Sequence, residues 1–294
     1  MKLTNGFYTA LGTPIDKNGN LIAASLEKEI EQQIAAKAAG VLLMGSMGIE
    51  AFLKFSTYQE AVKVGIKAVK GRVPLFIGAM DTSVEKVLEK INSIGENQPV
   101  DGIVITAPFY GKANDEFALN FFTRIADRSP YPIYVYDLAV TVGYKVTMPI
   151  IDALIAHPNV KGIKTADWEM IKAIGRKYPD AEFNCLYSGL DSFDYANVLG
   201  IRMNLDGMFA ATPANGKKMY ECLAKDDFDG ARKYLDNILL LRNTYIKYGV
   251  MRSFTYSMNL LGCEGNFHTD FDNEVSEEGK AAVAAVMKQI GEIA

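Results

Sequence analysis

The sequence predicts an α/β fold, a (β/α)8 barrel with a C-terminal helical extension, and two observations carry that prediction. Eight short apolar runs, rich in residues that favour strands, recur along residues 7–211. The segments between them, such as residues 25–40 and 57–71, have apolar residues at helical spacing and end in glycine. Strands that are apolar on both faces and alternate with helices are typical of a parallel sheet. Eight such units favour a closed barrel.

The predicted strands follow one another at intervals that leave room for one helix each. In chain order they are FYTALGTP (7–14), GVLLMG (40–45), VPLFIGAM (73–80), DGIVITAP (101–108), YPIYVYDL (131–138), VKGIK (160–164), FNCLYSG (183–189) and LDGMFAA (205–211). An open doubly wound sheet is the alternative. No GxGxxG pattern follows an early strand, and GSMGIE (45–50) lacks the third glycine of that pattern, so the barrel is preferred.

The C-terminal part of the chain reads differently. Residues 216–294 show helical patterns only, and no Pro/Gly-rich linker separates them from the preceding strands. We therefore predict a barrel over residues 1–215 and helices packed on it over residues 216–294, together one structural unit.

Composition and charge exclude several classes of function. The chain has 294 residues, of which 49% are hydrophobic and 22% charged, and its net charge is only -4. A nucleic-acid partner needs clustered Lys and Arg, so none is expected. No apolar run approaches the length of a membrane span, and none near the N-terminus is long enough for a signal peptide. No membrane partner is expected either.

Cysteine and histidine usage narrows the chemistry. Cys185, Cys222 and Cys263 are widely spaced and form no CxxC pair, which argues against a disulfide framework and a structural zinc site. A reducing cytoplasm is the expected location. His157 and His268 are the only histidines in the chain, which disfavours Ser-His or Cys-His catalysis and a histidine-rich metal site.

The reactive candidates lie where the predicted strands end, because functional groups of such barrels sit at the carboxyl ends of the strands. Lys164 ends the sixth strand, and a lysine amine forms a Schiff base with a ketone. Tyr136, one strand earlier, can transfer protons. The loop Gly45–Gly48 lies between a strand and a helix, where backbone N–H groups can hold a carboxylate. Each feature alone is more often structural, but together they describe a Schiff-base enzyme acting on a 2-oxo acid.

Six stretches also carry a resemblance: ALGTPID (10–16), GSMGIEAFLKFSTYQE (45–60), APFYGK (107–112), YVYDLAVTVG (134–143), GIKTAD (162–167) and YSGLDS (187–192). In order and spacing the chain resembles the N-acetylneuraminate lyase and dihydrodipicolinate synthase family of pyruvate-dependent class I aldolases, over nearly its full length. The resemblance implies that Lys164 forms an imine with pyruvate and that Tyr136 transfers protons. It further implies that Ser46, Met47 and adjacent N–H groups bind the pyruvate carboxylate.

The same resemblance implies an assembly and a cofactor requirement. It suggests a homotetramer made of two tight dimers, in which Tyr110 reaches into the neighbouring subunit's site as a third catalytic residue. No metal and no dissociable cofactor are implied; the expected partners are pyruvate and an aldehyde.

Departures from the family pattern bear on the substrate. Met47 occupies a position where the family usually has a hydroxyl, and Thr141 stands where dihydrodipicolinate synthases have an arginine for a second carboxylate. In the stretch Gly189–Ser192 only Asp191 is acidic, whereas sialic acid lyases have an acidic pair there. These departures favour a lyase for another 2-keto-3-deoxy acid, with a neutral hydroxyaldehyde as the second component. The candidate substrate-binding residues are Ser46, Met47, Thr141, Gly189, Asp191, Ser192 and Thr212.

Three alternatives stay open at this point. Dihydrodipicolinate synthase is disfavoured by Thr141, and N-acetylneuraminate lyase by the single Asp191. The third is a non-catalytic member that binds a 2-oxo acid as a sensor, which Met47 and the charge of Asp137 beside Tyr136 suggest. The retained Lys164–Tyr136 pair argues against it, since a binding protein needs neither.

Overall fold

The computed structural model describes residues 3–294 and confirms the predicted barrel. Eight parallel strands pair in chain order, and the eighth closes on the first through Gly6–Met203 and the three residue pairs that follow. The strands are β1 (Gly6–Ala10), β2 (Gly40–Leu43), β3 (Leu75–Gly78), β4 (Gly102–Thr106), β5 (Ile133–Tyr136), β6 (Val160–Thr165), β7 (Asn184–Tyr187) and β8 (Met203–Asp206).

Helices follow the strands on the outside and continue beyond the barrel. Those of the barrel portion are α1 (Ala23–Ala35), α2 (Phe55–Val69), α3 (Val84–Ile94), α4 (Asp115–Ala126), α5 (Ala139–Val142), α6 (Met148–Leu154), α7 (Trp168–Lys177), α8 (Phe193–Val198) and α9 (Met208–Ala211). The later ones are α10 (Pro213–Leu223), α11 (Phe228–Tyr248), α12 (Val250–Leu260) and α13 (Glu277–Gln289). Short 3-10 turns cover Glu50–Phe52 and Leu190–Ser192.

The strands are apolar on both faces because both faces are buried. One set of side chains fills the inside of the barrel, and the alternate set packs under the outer helices. The inner set includes Tyr8, Leu42, Phe76, Val104, Tyr134, Tyr136, Leu186 and Leu205. Tyr136 is the last residue of β5, so its ring tops this inner packing at the carboxyl end of the sheet.

The eighth strand differs from its prediction. The expected strand covered residues 205–211, whereas β8 ends at Asp206 and Met208–Ala211 form the short helix α9. The Asp206 carboxylate accepts the Met208 N–H at 2.8 Å, a turn that ends the strand. The apolar run continues because α9 is itself buried beneath the C-terminal helices, so composition alone did not separate strand from helix.

The C-terminal helices share one apolar cluster with the barrel. Leu235, Ile238 and Leu241 of α11 are fully buried in a cluster that also contains Phe7 of β1 and Phe209 of α9. The predicted boundary at residues 215/216 falls inside α10. Within residues 3–294, none of the helices combines the length and the apolar character needed to cross a membrane.

An acidic side chain is buried at the junction of α1 and β1. Glu29 has no exposed surface, and one carboxyl oxygen accepts the Gly12 N–H at 2.8 Å. Its other oxygen has no hydrogen-bond partner within the described residues. Burial raises the pKa of Glu29 from 4.5 to about 8, although the Gly12 N–H opposes the rise. Glu29 is therefore mostly neutral at pH 7 in the folded protein.

The burial of Glu29 predicts that the free energy of unfolding depends on pH. Because the folded-state pKa is the higher one, the contribution of Glu29 is complete below about pH 4.5 and is lost as the pH rises towards about 8. Glu29→Gln should remove that decline, which is on the order of a few kcal/mol in the free energy of unfolding. Thermal unfolding of both proteins between pH 5 and 8 measures it. Glu27→Gln, an exposed site on α1, is the control; an unchanged slope in Glu29→Gln would refute the assignment.

Candidate active site

A cavity of about 780 Å³ opens at the carboxyl ends of the barrel strands. Side chains at the ends of β5, β6 and β8 line it, together with the loop after β2 and part of α12. This is the edge at which barrels of this architecture assemble functional groups from several strands. Among the lining residues are Lys164, Tyr136 and Ser46, so the structure brings together three of the residues singled out from sequence.

Lys164 is buried, with 4% of its surface exposed, and its Nζ lies 3.7 Å from the centre of the Tyr136 ring. The two residues are direct partners in the β5–β6 pairing. Gly162, two residues earlier on the same face of β6, lies against the Tyr134 ring, where a Cβ would approach to 2.6 Å. Only glycine fits there, and this close packing fixes the strand that carries Lys164.

Tyr136 also contacts the loop that follows β2. Its hydroxyl lies 3.3 Å from the Ser46 Oγ, so the two can share a proton. A lysine, a tyrosine and a serine hydroxyl are thus connected within one cavity. The set can form an imine and move protons to and from a bound substrate.

The loop Gly45–Gly48 is held in a strained conformation. Met44 before it and Ile49 after it have positive φ angles of 56° and 48°, which branched or bulky residues rarely adopt. The Thr13 hydroxyl donates to the Gly48 carbonyl at 2.7 Å and secures the turn. Within residues 3–294 the N–H groups of Ser46 and Met47 have no acceptor. They are available to hold an anionic group of a ligand.

A network of charges links the loops after β5 and β6 at the rim of the cavity. Lys145 pairs with Asp137 at 2.5 Å and with Asp167 at 3.1 Å. Asp137 also accepts the Thr165 hydroxyl at 2.7 Å and the Val146 N–H at 3.1 Å. Burial acts to lower the pKa of Lys145, but its two carboxylate partners raise it overall. Lys145 is therefore positively charged, and its charge is already paired with Asp137 and Asp167.

Asp206 is a lining residue that sequence reasoning missed. It ends β8, is partly buried, and lies in the same cavity as Lys164. Burial raises the pKa of Asp206, while the Met208 N–H and the charge of Lys164 oppose the rise. The Asp206-Gly207 pair was the available signal, since Asp-Gly marks turns, but the apolar residues after it obscured the end of the strand.

Several predicted substrate-binding residues lie outside the cavity lining. Asp191 is paired with both terminal nitrogens of Arg242 from α11. The Ser192 hydroxyl bonds to the Tyr187 hydroxyl at 2.7 Å. Gly189 lies so close to the Tyr187 side chain that a Cβ at this position would clash with it. These residues stabilise the turn after β7, and none of them is among the residues that line the cavity.

The other three predicted site residues, Thr141, Thr212 and Tyr110, also lie outside the cavity lining. Thr141 lies exposed on α5. Thr212 is fully buried and donates its hydroxyl to the Met208 carbonyl at 2.8 Å. Tyr110 is fully exposed on the loop after β4, with a positive φ of 72°. The structure therefore brings only Ser46 and Met47 of the seven predicted substrate-binding residues to the cavity that holds Lys164.

Two hydrophobic residues that were not selected from the sequence complete the lining. Trp168, at the first position of α7, and Met251, on α12, both face the cavity. No local pattern distinguishes either from an ordinary helical residue, so sequence reasoning had no signal for them. Within residues 3–294 no group of three His, Cys, Asp or Glu side chains is arranged to hold a metal ion.

Comparison with known proteins identifies what the chain is similar to. Residues 3–290 match the model of the dihydrodipicolinate synthetase family. The 4-hydroxy-tetrahydrodipicolinate synthase of Methanospirillum hungatei is 29% identical over 239 residues, which cover 78% of this chain and 79% of that protein.

Solved structures share the fold. A prophage protein of Escherichia coli K12 from the dihydrodipicolinic acid synthase family, in complex with pyruvate, superposes with a TM-score of 0.88 and 21% identity, covering 98% of this chain and 99% of that one. A Clostridium difficile protein in complex with mannosamine gives a TM-score of 0.87 at 18% identity, covering 98% and 99%.

Proposed function

Because the chain belongs to the dihydrodipicolinate synthetase family, we propose that it is a pyruvate-dependent class I aldolase that forms or cleaves a carbon–carbon bond in a 2-oxo acid through a Schiff base. The observation that carries the proposal is the buried Lys164, with its Nζ 3.7 Å from the Tyr136 ring in an open cavity. The pyruvate complex of the related E. coli prophage protein agrees with this choice of substrate.

The reaction follows from the groups in the cavity. The amine of Lys164 attacks the ketone of pyruvate, and the resulting carbinolamine hydroxyl takes a proton from Tyr136 and leaves as water, which gives an iminium ion. The deprotonated Tyr136 then takes a proton from C3 to give an enamine, which attacks the aldehyde carbon and forms the new bond. Tyr136 is within reach to donate a proton to the resulting alkoxide. Water then hydrolyses the imine and frees Lys164; cleavage is the same sequence reversed.

The pyruvate carboxylate has a matching site in the loop after β2. The free N–H groups of Ser46 and Met47 can bind this carboxylate. The Ser46 Oγ lies 3.3 Å from the Tyr136 hydroxyl and so connects the carboxylate site to Tyr136. Met47 contributes its backbone only, because a thioether does not relay protons. When Asp206 is ionised, its charge favours the cationic iminium over the neutral carbinolamine.

Synthesis of 4-hydroxy-tetrahydrodipicolinate is a second candidate, because related proteins carry that name. That reaction requires a semialdehyde with a second carboxylate. Lys145 and Lys164 are the basic residues that line the cavity within the described chain, and Lys145 is already paired with two aspartates. With Thr141 exposed outside the cavity, no free cation among residues 3–294 lines the cavity to serve a second carboxylate. We therefore rank this activity below the general aldolase.

The imine can be trapped directly. Pyruvate followed by borohydride should add one reduced pyruvate to the chain, and peptide mapping should locate it at Lys164, because reduction captures only an imine. Lys164→Met should abolish the adduct. Lys161→Met, on the same strand but outside the cavity, is the matched control and should retain it. An adduct that survives in Lys164→Met would remove the proposed mechanism.

Tyr136 is expected to matter for turnover. Tyr136→Phe removes a positioned acid–base group and should lower kcat by roughly 100-fold, with little change in packing. Tyr134→Phe is the control, since Tyr134 lies on the same strand and face but bonds to Asn184 at 3.1 Å, away from the cavity. Steady-state kinetics on the best available substrate decides the point. Equal turnover in both variants would reduce Tyr136 to a packing residue.

We also propose a homotetramer in which Tyr110 reaches a neighbouring subunit's site. The complete exposure of Tyr110 and its strained backbone in a single chain support this proposal, since a partner could cover the ring. Sedimentation velocity at micromolar concentration should give four times the chain mass. Tyr110→Phe should lower turnover without changing the sedimentation. A fully active monomer would contradict the proposal.

The cytoplasmic location stays a prediction.

A further inference from the structure

The part of the cavity lining that is not assigned to imine chemistry is mostly apolar. Its larger apolar side chains are Leu138, Val140, Trp168 and Met251, joined by the side chain of Met47, of which only the backbone is assigned to the carboxylate. Val140 is 94% exposed and Trp168 37% exposed, so two hydrophobic side chains meet solvent at the rim. Exposed apolar groups concentrated at a cavity are typical of a binding surface.

The polar groups of the rim are largely engaged with one another. Asp137 and Asp167 share Lys145, and Asp137 takes two further hydrogen bonds from Thr165 and Val146. Asp167 also accepts the Met170 N–H at 2.8 Å. The bonds already made by Asp137 and Asp167 reduce the number of acceptor sites that remain for a substrate hydroxyl, so the network offers little to a polyhydroxylated ligand.

Few lining groups remain for a substrate hydroxyl. Ser46 is shared with Tyr136, and Asp206 accepts the Met208 N–H. Apart from Lys164 and the indole of Trp168, Ser188 and Glu169 are the polar lining side chains that have no partner within residues 3–294. Glu169 adds negative charge, as do Asp137 and Asp167, so an anionic aldehyde would meet repulsion as well.

We propose that the second substrate is an uncharged aldehyde with an apolar body, for which an aromatic ring is the best match to Trp168; the inference rests on the proposed function and names its substrate class. The enamine C3 of pyruvate bonds to the aldehyde carbon, and the aldehyde oxygen takes a proton to become a hydroxyl. After hydrolysis of the imine, the product is a 4-hydroxy-2-oxo acid with the apolar group at C4. No oxidant or further reactant is required.

Trp168 is well placed to give this preference. It begins α7, and its neighbour Asp167 caps that helix while bonding to Lys145, so the indole is carried on a firmly held turn. A partly exposed indole offers a large rigid face at low cost in side-chain entropy. Leu138 and Val140, from the loop after β5, line the same cavity.

The test is a panel of aldehydes with pyruvate: benzaldehyde, isobutyraldehyde, glyceraldehyde and aspartate semialdehyde. We expect kcat/KM for benzaldehyde to exceed that for glyceraldehyde at least tenfold, with aspartate semialdehyde lowest. Cleavage of 4-hydroxy-2-oxo-4-phenylbutanoate to pyruvate and benzaldehyde should show the same preference. A higher kcat/KM for glyceraldehyde or for aspartate semialdehyde would overturn the inference.

Variants test the role of Trp168. Trp168→Ala should raise KM for benzaldehyde roughly tenfold, the scale of a lost aromatic contact, and Trp168→Phe should restore much of the loss. The matched control is Phe55→Ala, because Phe55 also begins a helix and is 38% exposed, but lies outside the cavity. Equal KM values in the wild type and both Trp168 variants would remove Trp168 from recognition of the aldehyde.

Borohydride trapping separates this inference from the proposed function. If no adduct forms at Lys164, the aldolase itself fails. If the adduct forms while benzaldehyde and isobutyraldehyde are not turned over, the aldolase proposal stands on its own evidence and the apolar acceptor is refuted. An adduct without turnover of any aldehyde in the panel refutes it too and favours a 2-oxo-acid sensor.

Discussion

The pairing of β5 with β6 is the interaction on which the rest of the site depends. In this register Tyr136 lies opposite Lys164, and the Asp137 N–H continues the ladder by donating to the Lys164 carbonyl at 2.9 Å. A shift of one residue would turn Lys164 to the outer face, because side chains alternate along a strand. The tight packing of Gly162 against Tyr134 opposes such a shift. The Lys164 amine is thus positioned by the core of the barrel rather than by a flexible loop.

The loops above this pair are ordered by charge and by strain. Lys145 connects the loop after β5 with the loop after β6, and its two aspartates are fixed by further hydrogen bonds. After β2, two left-handed residues frame the turn that presents the Ser46 and Met47 N–H groups. The ion pairs that order the rim also neutralise the charge of Lys145, which is the second basic residue of the cavity lining beside Lys164. Order at the rim and the proposed selectivity against anionic aldehydes therefore have one physical cause.

The C-terminal helices contribute to the site as well as to the core. Arg242 of α11 binds Asp191 of the turn after β7, and Met251 of α12 lines the cavity. Asp191 thereby anchors a helix to the barrel, and its oxygens are already occupied by a bidentate partner. The buried α9 joins the barrel to these helices, since Phe209 packs against both Phe7 of β1 and Tyr220 of α10.

The sequence by itself determined the barrel and the placement of Lys164, Tyr136 and the loop at Ser46 at the carboxyl ends of its strands. These features depend on local periodicity and on the rule that strand ends meet at one edge of a parallel sheet. The tertiary structure alone decided where β8 ends and therefore that Asp206 lies in the cavity. The sequence could not decide this, because a buried strand and a buried helix can have the same run of apolar residues. The tertiary structure also decided that Asp191, Ser192 and Thr212 bond to other protein groups while Trp168 and Met251 line the cavity. These choices depend on which groups the folded chain brings together, whether near in sequence, as for Ser192 with Tyr187, or distant, as for Asp191 with Arg242. A local pattern contains no record of which partner a side chain meets.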